Sequence, residues 1–374
     1  MTRDSLRTYV PFRSDWRMRI EHPYSLWVQD GQVGWSCGQC PLDSNGQVIA
    51  PGDLVAQTRY VASLIEQTLR SGQLGSVHVA KLVAYYVPDA TSGPALEELA
   101  ERLGVGLIVP VAVRHFYYDG MLIEIDVFCS RSPPAEKVPG SAALGPHLTL
   151  IDAVELFYAA VSWSHPQLKQ PDSWGAALAL LEQVMAVHNL CSDQLISDRW
   201  FVIGLEATQL LKAAYRDGYC RDPGCAAACK WDNGTGAIAE LTFVANSEAS
   251  PSAELTDESV SLRRRGRFVS ITARETTGGT TLSIQTNRSM QAVGQMLERI
   301  GSNFADISKA TTLYVGGNSA AELHENMSIR NSFYERPGPA STGVPVGGFP
   351  FSESLVSIDL LGTLSRSWPG SNLR

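Results

Sequence analysis

The chain has 374 residues, 44% of them hydrophobic and 18% charged, with 32 Gly and 20 Pro. That leaves room for two or three domains with sizeable cores and excludes disorder, collagen and coiled coil. A formal net charge of −8 speaks against a nucleic-acid partner, because a protein that tracks phosphates presents a basic face.

The N-terminus, Met1 to Ser5, leads into sequence with Arg, Tyr and Trp and lacks the apolar core of a secretory signal. No apolar run approaches the roughly 20 residues of a membrane helix. No membrane partner is expected, and the expected location is the cytoplasm, where thiols stay reduced. Cys37 and Cys40 have the spacing of a redox or zinc knuckle, but no second pair completes it. Cys220, Cys225 and Cys229 form the only other cluster. Neither a metal nor a cofactor is expected.

Along the chain, Val61, Leu64, Ile65 and Leu69 share one face of a helix over 55–69. A β-branched and aromatic strand over 81–87 follows, then a helix over 95–103. An alternating strand over 121–129 ends before Pro133 and Pro134. Helix 174–188, strand 199–203, helix 207–215 and strand 237–245 repeat that order. The basic run Arg263, Arg264, Arg265 and Arg267 reads as a solvated strand entry. Helix 289–300, strand 309–315, helix 320–334 and strand 355–362 complete the series.

Two landmarks recur with one period. Asp126, Thr242 and Asp359 occupy matching places in the closing strands, 116 and 117 residues apart. The strands that begin near 81, 199 and 309 recur likewise. Each unit reads β-hairpin, helix, strand, helix, strand. The expected fold is α+β, with helices on one face of a mixed sheet, three times over. The units span 18–130, 145–248 and 258–366.

The first unit opens with His22, Pro23, Tyr24 and Ser25, followed by Ser36, Cys37, Gly38, Gln39, Cys40, Pro41, Leu42 and Asp43. This resembles the G-P-Y-S … S-G-Q-x-P-L-D opening of the Rid/YjgF family, the reactive-intermediate (enamine/imine) deaminases once called L-PSP endoribonucleases. Gly46, Gly52, Asp53, Gln57, Thr58 and Arg59 continue the pattern. In the third unit, Asp306 to Val315 is similar to the family's D-V-V-K-T-T-V-F-V. Asn326 falls on the Asn that begins its second helix, and Pro339 to Thr342 fall on its P-A-R-S. The resemblance implies three YjgF/chorismate-mutase-like units in one chain. It further implies a monomeric pseudo-trimer or low-order homo-oligomer that takes a small-molecule substrate in clefts between units.

In that family an Arg in P-A-R-S clamps the substrate carboxylate, and a carboxylate on the final strand holds the attacking water. A planar guanidinium fork suits a carboxylate, and an acceptor beside a C=N carbon orients or deprotonates water. Here Gly106, Cys225 and Ser341 stand where the Arg would be. Asp126 and Asp359 keep the carboxylate and are the candidate catalytic residues, whereas Thr242 has lost it. The alternative for both is a solvent-facing strand position. The candidate substrate-binding residues are Asn326, Ser341, Thr342, Tyr24 and Gly38, with Asn326 alternatively a helix cap and Tyr24 alternatively a core residue. Arg274 stands at the Gln of Ser-Gly-Gln in the third unit and is the candidate replacement for the lost clamp. Three functions are in view. They are a hydrolase or deaminase of a small imine or enamine, a chorismatase-like hydrolase of an enol-ether carboxylate, and a non-catalytic ligand-binding pseudo-trimer.

Overall fold

The structure is a computed structural model that describes residues 7–12, 16–138, 147–168, 171–219, 224–229, 231, 233–245, 252–275, 279–316, 319–351 and 353–364. Three six-stranded sheets share one topology. The first contains β1 (Thr8–Val10), β2 (Trp27–Asp30), β3 (Val33–Ser36), β4 (Val79–Tyr86), β5 (Ile108–Ala112) and β6 (Ile123–Ser130) in the order β1-β2-β3-β6-β4-β5. All neighbours are antiparallel except β4 and β5, which α2 (Ser92–Leu103) connects in parallel. The helix α1 (Leu54–Ser71) joins β3 to β4 and packs on α2 and β6.

The second sheet repeats this with β7 (Ala135–Val138), β8 (His147–Asp152), β9 (Leu156–Ser164), α3 (Pro171–Val187), β10 (Leu195–Ile203), α4 (Gly204–Tyr219), β11 (Cys225–Ala228) and β12 (Thr235–Val244). The third has β13 (Ser252–Thr256), β14 (Val260–Arg265), β15 (Phe268–Arg274), α5 (Leu282–Arg299), β16 (Ile307–Tyr314), α6 (Ala320–Asn331), β17 (Ala340–Pro345) and β18 (Val356–Thr363). The fold is α+β in three tandem units.

Local chemistry accounts for the elements. Asp53 caps α1 by accepting the Ala56 N–H at 2.9 Å. Leu54, Thr58, Val61, Ala62, Ile65 and Leu69 then recur on a buried face. The strand β4 is buried along its whole length, as a strand covered on both faces must be. The edge strands β1, β7 and β13 and the parallel strands β5, β11 and β17 go beyond the sequence expectation, because short runs carry too little alternation to read.

Backbone hydrogen bonds join every pair of units. Ser25 N–H donates to the Pro339 carbonyl at 3.1 Å, Gly347 N–H to Ala227 at 2.8 Å, and Cys229 N–H to Ala112 at 2.9 Å. At one end Arg267 Nη1 lies 2.8 Å from Asp30 Oδ1 and Nη2 lies 2.7 Å from Glu155 Oε2, so one side chain ties all three units. Arg263 pairs with Asp198, while Arg264 and Arg265 are buried. The basic run is therefore an inter-unit clamp and not a solvated strand entry. Arg263 and Arg267 find their carboxylates in other units, where linear sequence does not reveal them, whereas Arg265 pairs with Glu254 of the neighbouring strand.

Register also realigns the closing strands. The pairing of each shifts between Val79 and Lys81, Leu195 and Ser197, and Ile307 and Lys309. Counted from there, Asp126 faces Val83, Glu240 faces Arg199, and Asp359 faces Thr311. The counterpart in the second unit is thus Glu240 and not Thr242, and all three units keep a carboxylate. A slip of two residues leaves every side chain on its face, so alternation cannot detect it. The same register makes Ile108, not Gly106, the counterpart of Ser341, and sets Cys225 level with Gly343.

The unit boundaries at 145, 248 and 366, and Cys220, lie outside the described residues. Among the described residues, no helix is long and apolar enough to cross a membrane. No group of three or more His, Cys, Asp or Glu side chains there is placed to hold a metal ion.

Candidate active site

A narrow cleft of ≈ 40 Å³ opens between the first and third units. Tyr24 and Gly38 line it from the first unit, Ser341 and Gly343 from β17, and Leu323, Met327 and Arg330 from α6. Phe12, Trp16 and Met18 of the N-terminal lead close it over. The two walls are fixed to each other by the Gly38 N–H, which donates to the Ser341 carbonyl at 3.2 Å.

Glu124 on β6 also lines this cleft and is 2% exposed. A side chain at position 38 would displace Glu124, because a Cβ there would stand 1.9 Å from Glu124 Oε1. The Tyr117 hydroxyl donates to Glu124 Oε2 at 3.0 Å, and Cys40 Sγ lies 3.4 Å from that hydroxyl. Among the described residues no ion pair reaches Glu124. Burial pushes its carboxyl up to about 8, and the charge of Asp126 adds to that, against the opposing pull of Tyr117 and Lys309. At neutral pH the group is therefore mainly a protonated acid.

Across the cleft stands Arg330, 3% exposed. Its Nε donates to Asn326 Oδ1 at 2.8 Å and its Nη1 to Thr312 Oγ1 at 3.1 Å. Among the described residues no hydrogen bond reaches Nη2, which faces Gly343 at the cleft wall. Burial pushes the Tyr24 hydroxyl up, and the charge of Arg330 pulls it back. The indole Nε1 of Trp16 is buried here with no hydrogen-bond partner.

The candidates from sequence divide among several places. Tyr24, Gly38 and Ser341 meet in this cleft. Asn326 lies inside α6 rather than at its start, where Ser319 is the cap. It accepts from Arg330 and donates to Thr286 Oγ1 at 2.5 Å, so it positions the guanidinium. Asp126 and Thr342 lie behind the cleft, joined to each other and both bonded to Lys309, whose Nζ is 2.7 Å from Asp126 Oδ1 and 2.6 Å from Thr342 Oγ1. Asp359 and Arg274 belong to the junction of the second and third units. There Thr272 Oγ1 donates to Asp359 Oδ1 at 2.7 Å, and the Arg274 guanidinium lies 5.4 Å from the Phe351 ring centre.

Glu124 and Arg330 escape sequence reasoning, although each leaves a trace. Glu124 stands two residues before Asp126, on the same face of the strand. Arg330 stands four residues after Asn326, on the same face of the helix.

No family model matches the chain, and no curated protein matches it in sequence. Among solved structures, a chorismatase is similar over 77% of this chain and 93% of its own, at 11% identity and a TM-score of 0.51. That likeness is one of fold. A YjgF/YER057c/UK114-family protein from Mycobacterium tuberculosis matches 33% of this chain and 98% of its own, at 23% identity and a TM-score of 0.27. A Rid-family protein from Yersinia pestis also matches 33% of this chain and 98% of its own, at 20% identity and a TM-score of 0.29.

Proposed function

We propose that the cleft between the first and third units is a hydrolytic site for a small enamine or imine that carries a carboxylate. The observation behind this reading is the buried Glu124 carboxyl, with no ion-pair partner among the described residues, in the one small cleft that the Arg330 guanidinium also lines. Arg330, presented by α6 and held by Asn326 and Thr312, supplies through Nη2 the guanidinium donor that P-A-R-S lacks here. Glu124 gives its proton to the enamine carbon, which leaves an iminium. As a carboxylate it then takes a proton from the water that adds to the C=N carbon, and ammonia departs from the resulting carbinolamine. Asp126, neutralised by Lys309, acts on Glu124 only through its charge.

A chorismatase-like reaction on an enol-ether carboxylate is the second reading. It would begin with the same protonation of an electron-rich carbon, which the neutral Glu124 carboxyl equally favours. The test is ammonia release from imines generated in situ by an amino-acid oxidase. Glu124→Gln is expected to lose about 100-fold or more in kcat. Arg330→Met is expected to raise KM by about 10-fold or more, the worth of a charge-assisted hydrogen bond. Full activity in Glu124→Gln would sink the proposal. Release of pyruvate from an enol ether, with no ammonia from any imine, would select the second reading.

A further inference from the structure

The cleft that holds Glu124 is too small for more than the reacting part of a substrate. A cavity needs about 10–15 Å³ to hold one water, so ≈ 40 Å³ accommodates only a few heavy atoms, enough for a carboxylate and a C=N group. Beside it lies a second, open space of ≈ 540 Å³, lined by the N-terminal lead and by Arg336 and Pro337 of the third unit. Phe12, Met18, His22 and Tyr24 line both spaces, so the two adjoin there.

The shared wall is made largely of rings. His22 stacks on Tyr24 with centroids 5.6 Å apart and planes 25° apart, and Phe12 meets His22 edge-on at 4.7 Å. Burial, and after it the charge of Arg336, pushes the His22 imidazole down to about 4 against the pull of Glu21, so it is an uncharged ring at neutral pH. On the rim, Arg336 Nη2 donates to Glu21 Oε2 at 3.0 Å and to the His22 carbonyl at 2.8 Å. Arg17 is exposed beside it, and among the described residues no ion pair or hydrogen bond reaches its guanidinium.

We propose that this open space is the outer half of the same site and takes an aromatic side chain of the substrate, while the imine and its carboxylate sit in the inner cleft. A flat ring has area to bury against Phe12, His22 and Tyr24, in the offset or edge-on arrangements that aromatic pairs prefer. The Arg17 guanidinium is free to lie over the ring's other face. The inference rests on the reading of the Glu124 cleft as the place of reaction. It names the substrate as an aryl-bearing 2-imino acid rather than one as small as the imine of alanine.

The test compares ammonia release, above the spontaneous rate, from imines generated in situ from phenylalanine and from alanine. The phenylalanine imine is expected to show a kcat/KM about 10-fold or more higher, the worth of burying one large apolar side chain. His22→Ala should bring that ratio close to one, chiefly through KM of the phenylalanine imine. Should this variant fail to fold, Ser44→Trp, which fills the groove from its exposed rim, is expected to do the same. A ratio near one in the unaltered chain, or a ratio that the folded variant does not lower, would overturn the inference and leave the deamination in place. No ammonia from either imine would instead sink the deamination, and binding then decides the groove. Phenylpyruvate should raise the thermal unfolding midpoint at about tenfold lower concentration than pyruvate, and equal or absent rises would overturn the inference as well.

Discussion

At the scale of single residues, Glu124 couples function to stability through one proton. Its carboxyl titrates near 8 in the folded chain, against about 4.3 for an unfolded glutamate. Between those values the folded state holds a proton that the unfolded state has released. Stability therefore falls as pH rises through that window and levels off above it. Glu124→Gln removes the dependence, so its unfolding midpoint should exceed that of the unaltered chain at pH 9, with the gap closing at pH 5. A gap independent of pH would mean that Glu124 folds as an ionised group. Activity should decline above pH 8 as the acid is lost. Tyr117→Phe removes a hydrogen bond that holds the carboxyl down, and should move that alkaline limb upward, read from the pH profile of kcat. The sequence made the acidic strand visible but not which carboxylate meets the cleft. Glu124 and Asp126 share a strand face, and only the partner elements distinguish them: Lys309 covers Asp126, and Glu124 lines the cleft that Arg330 also lines.

Elements with long periodicity were legible. The amphipathic helices and the paired central strands follow from apolar spacing, and their number and order give the three units. Turn geometry and edge pairing were less so. The hairpins β2–β3, β8–β9 and β14–β15 place Gly31, Val154 and Gly266 in the left-handed region, at φ 59°, 73° and 57°. Two of the three are the residue such a turn favours. The β-branched Val154 is strained there and is 49% exposed, so it returns little packing energy. Val154→Gly should stabilise the fold by about 1 kcal/mol, seen as a higher urea midpoint at unchanged slope. An unchanged or lower midpoint would place the strain elsewhere.

For the whole molecule, the interior balances Lys81, Lys309 and Arg199 against Asp126, Glu240 and Asp359. Burial lowers the affinity of Lys81 for its proton while Glu240 opposes that. Glu240 itself is held down at about 2, with Arg199 and Lys81 outweighing the effect of its burial. Lys309→Met strands Asp126, which is 0% exposed, and should cost about 3–5 kcal/mol in denaturant unfolding. A loss below about 1 kcal/mol, the range of an exposed pair, would show that water reaches this pair. None of these partners could be read from a linear chain, because each pairs residues of different units or strands that only the register brings level.

The Glu124 cleft joins the two ends of the chain, as does Arg7, whose guanidinium reaches the Thr363 carbonyl 356 residues away at 2.8 Å. Synthesis proceeds from the N-terminus, so the wall carrying Tyr24 and Glu124 exists long before the wall carrying Arg330. The site is completed last, by ring closure. A homotrimer builds such clefts by collision, and dilution takes them apart. Here closure is first order in a single chain, so the completed site is independent of protein concentration and absent from every partial product of translation.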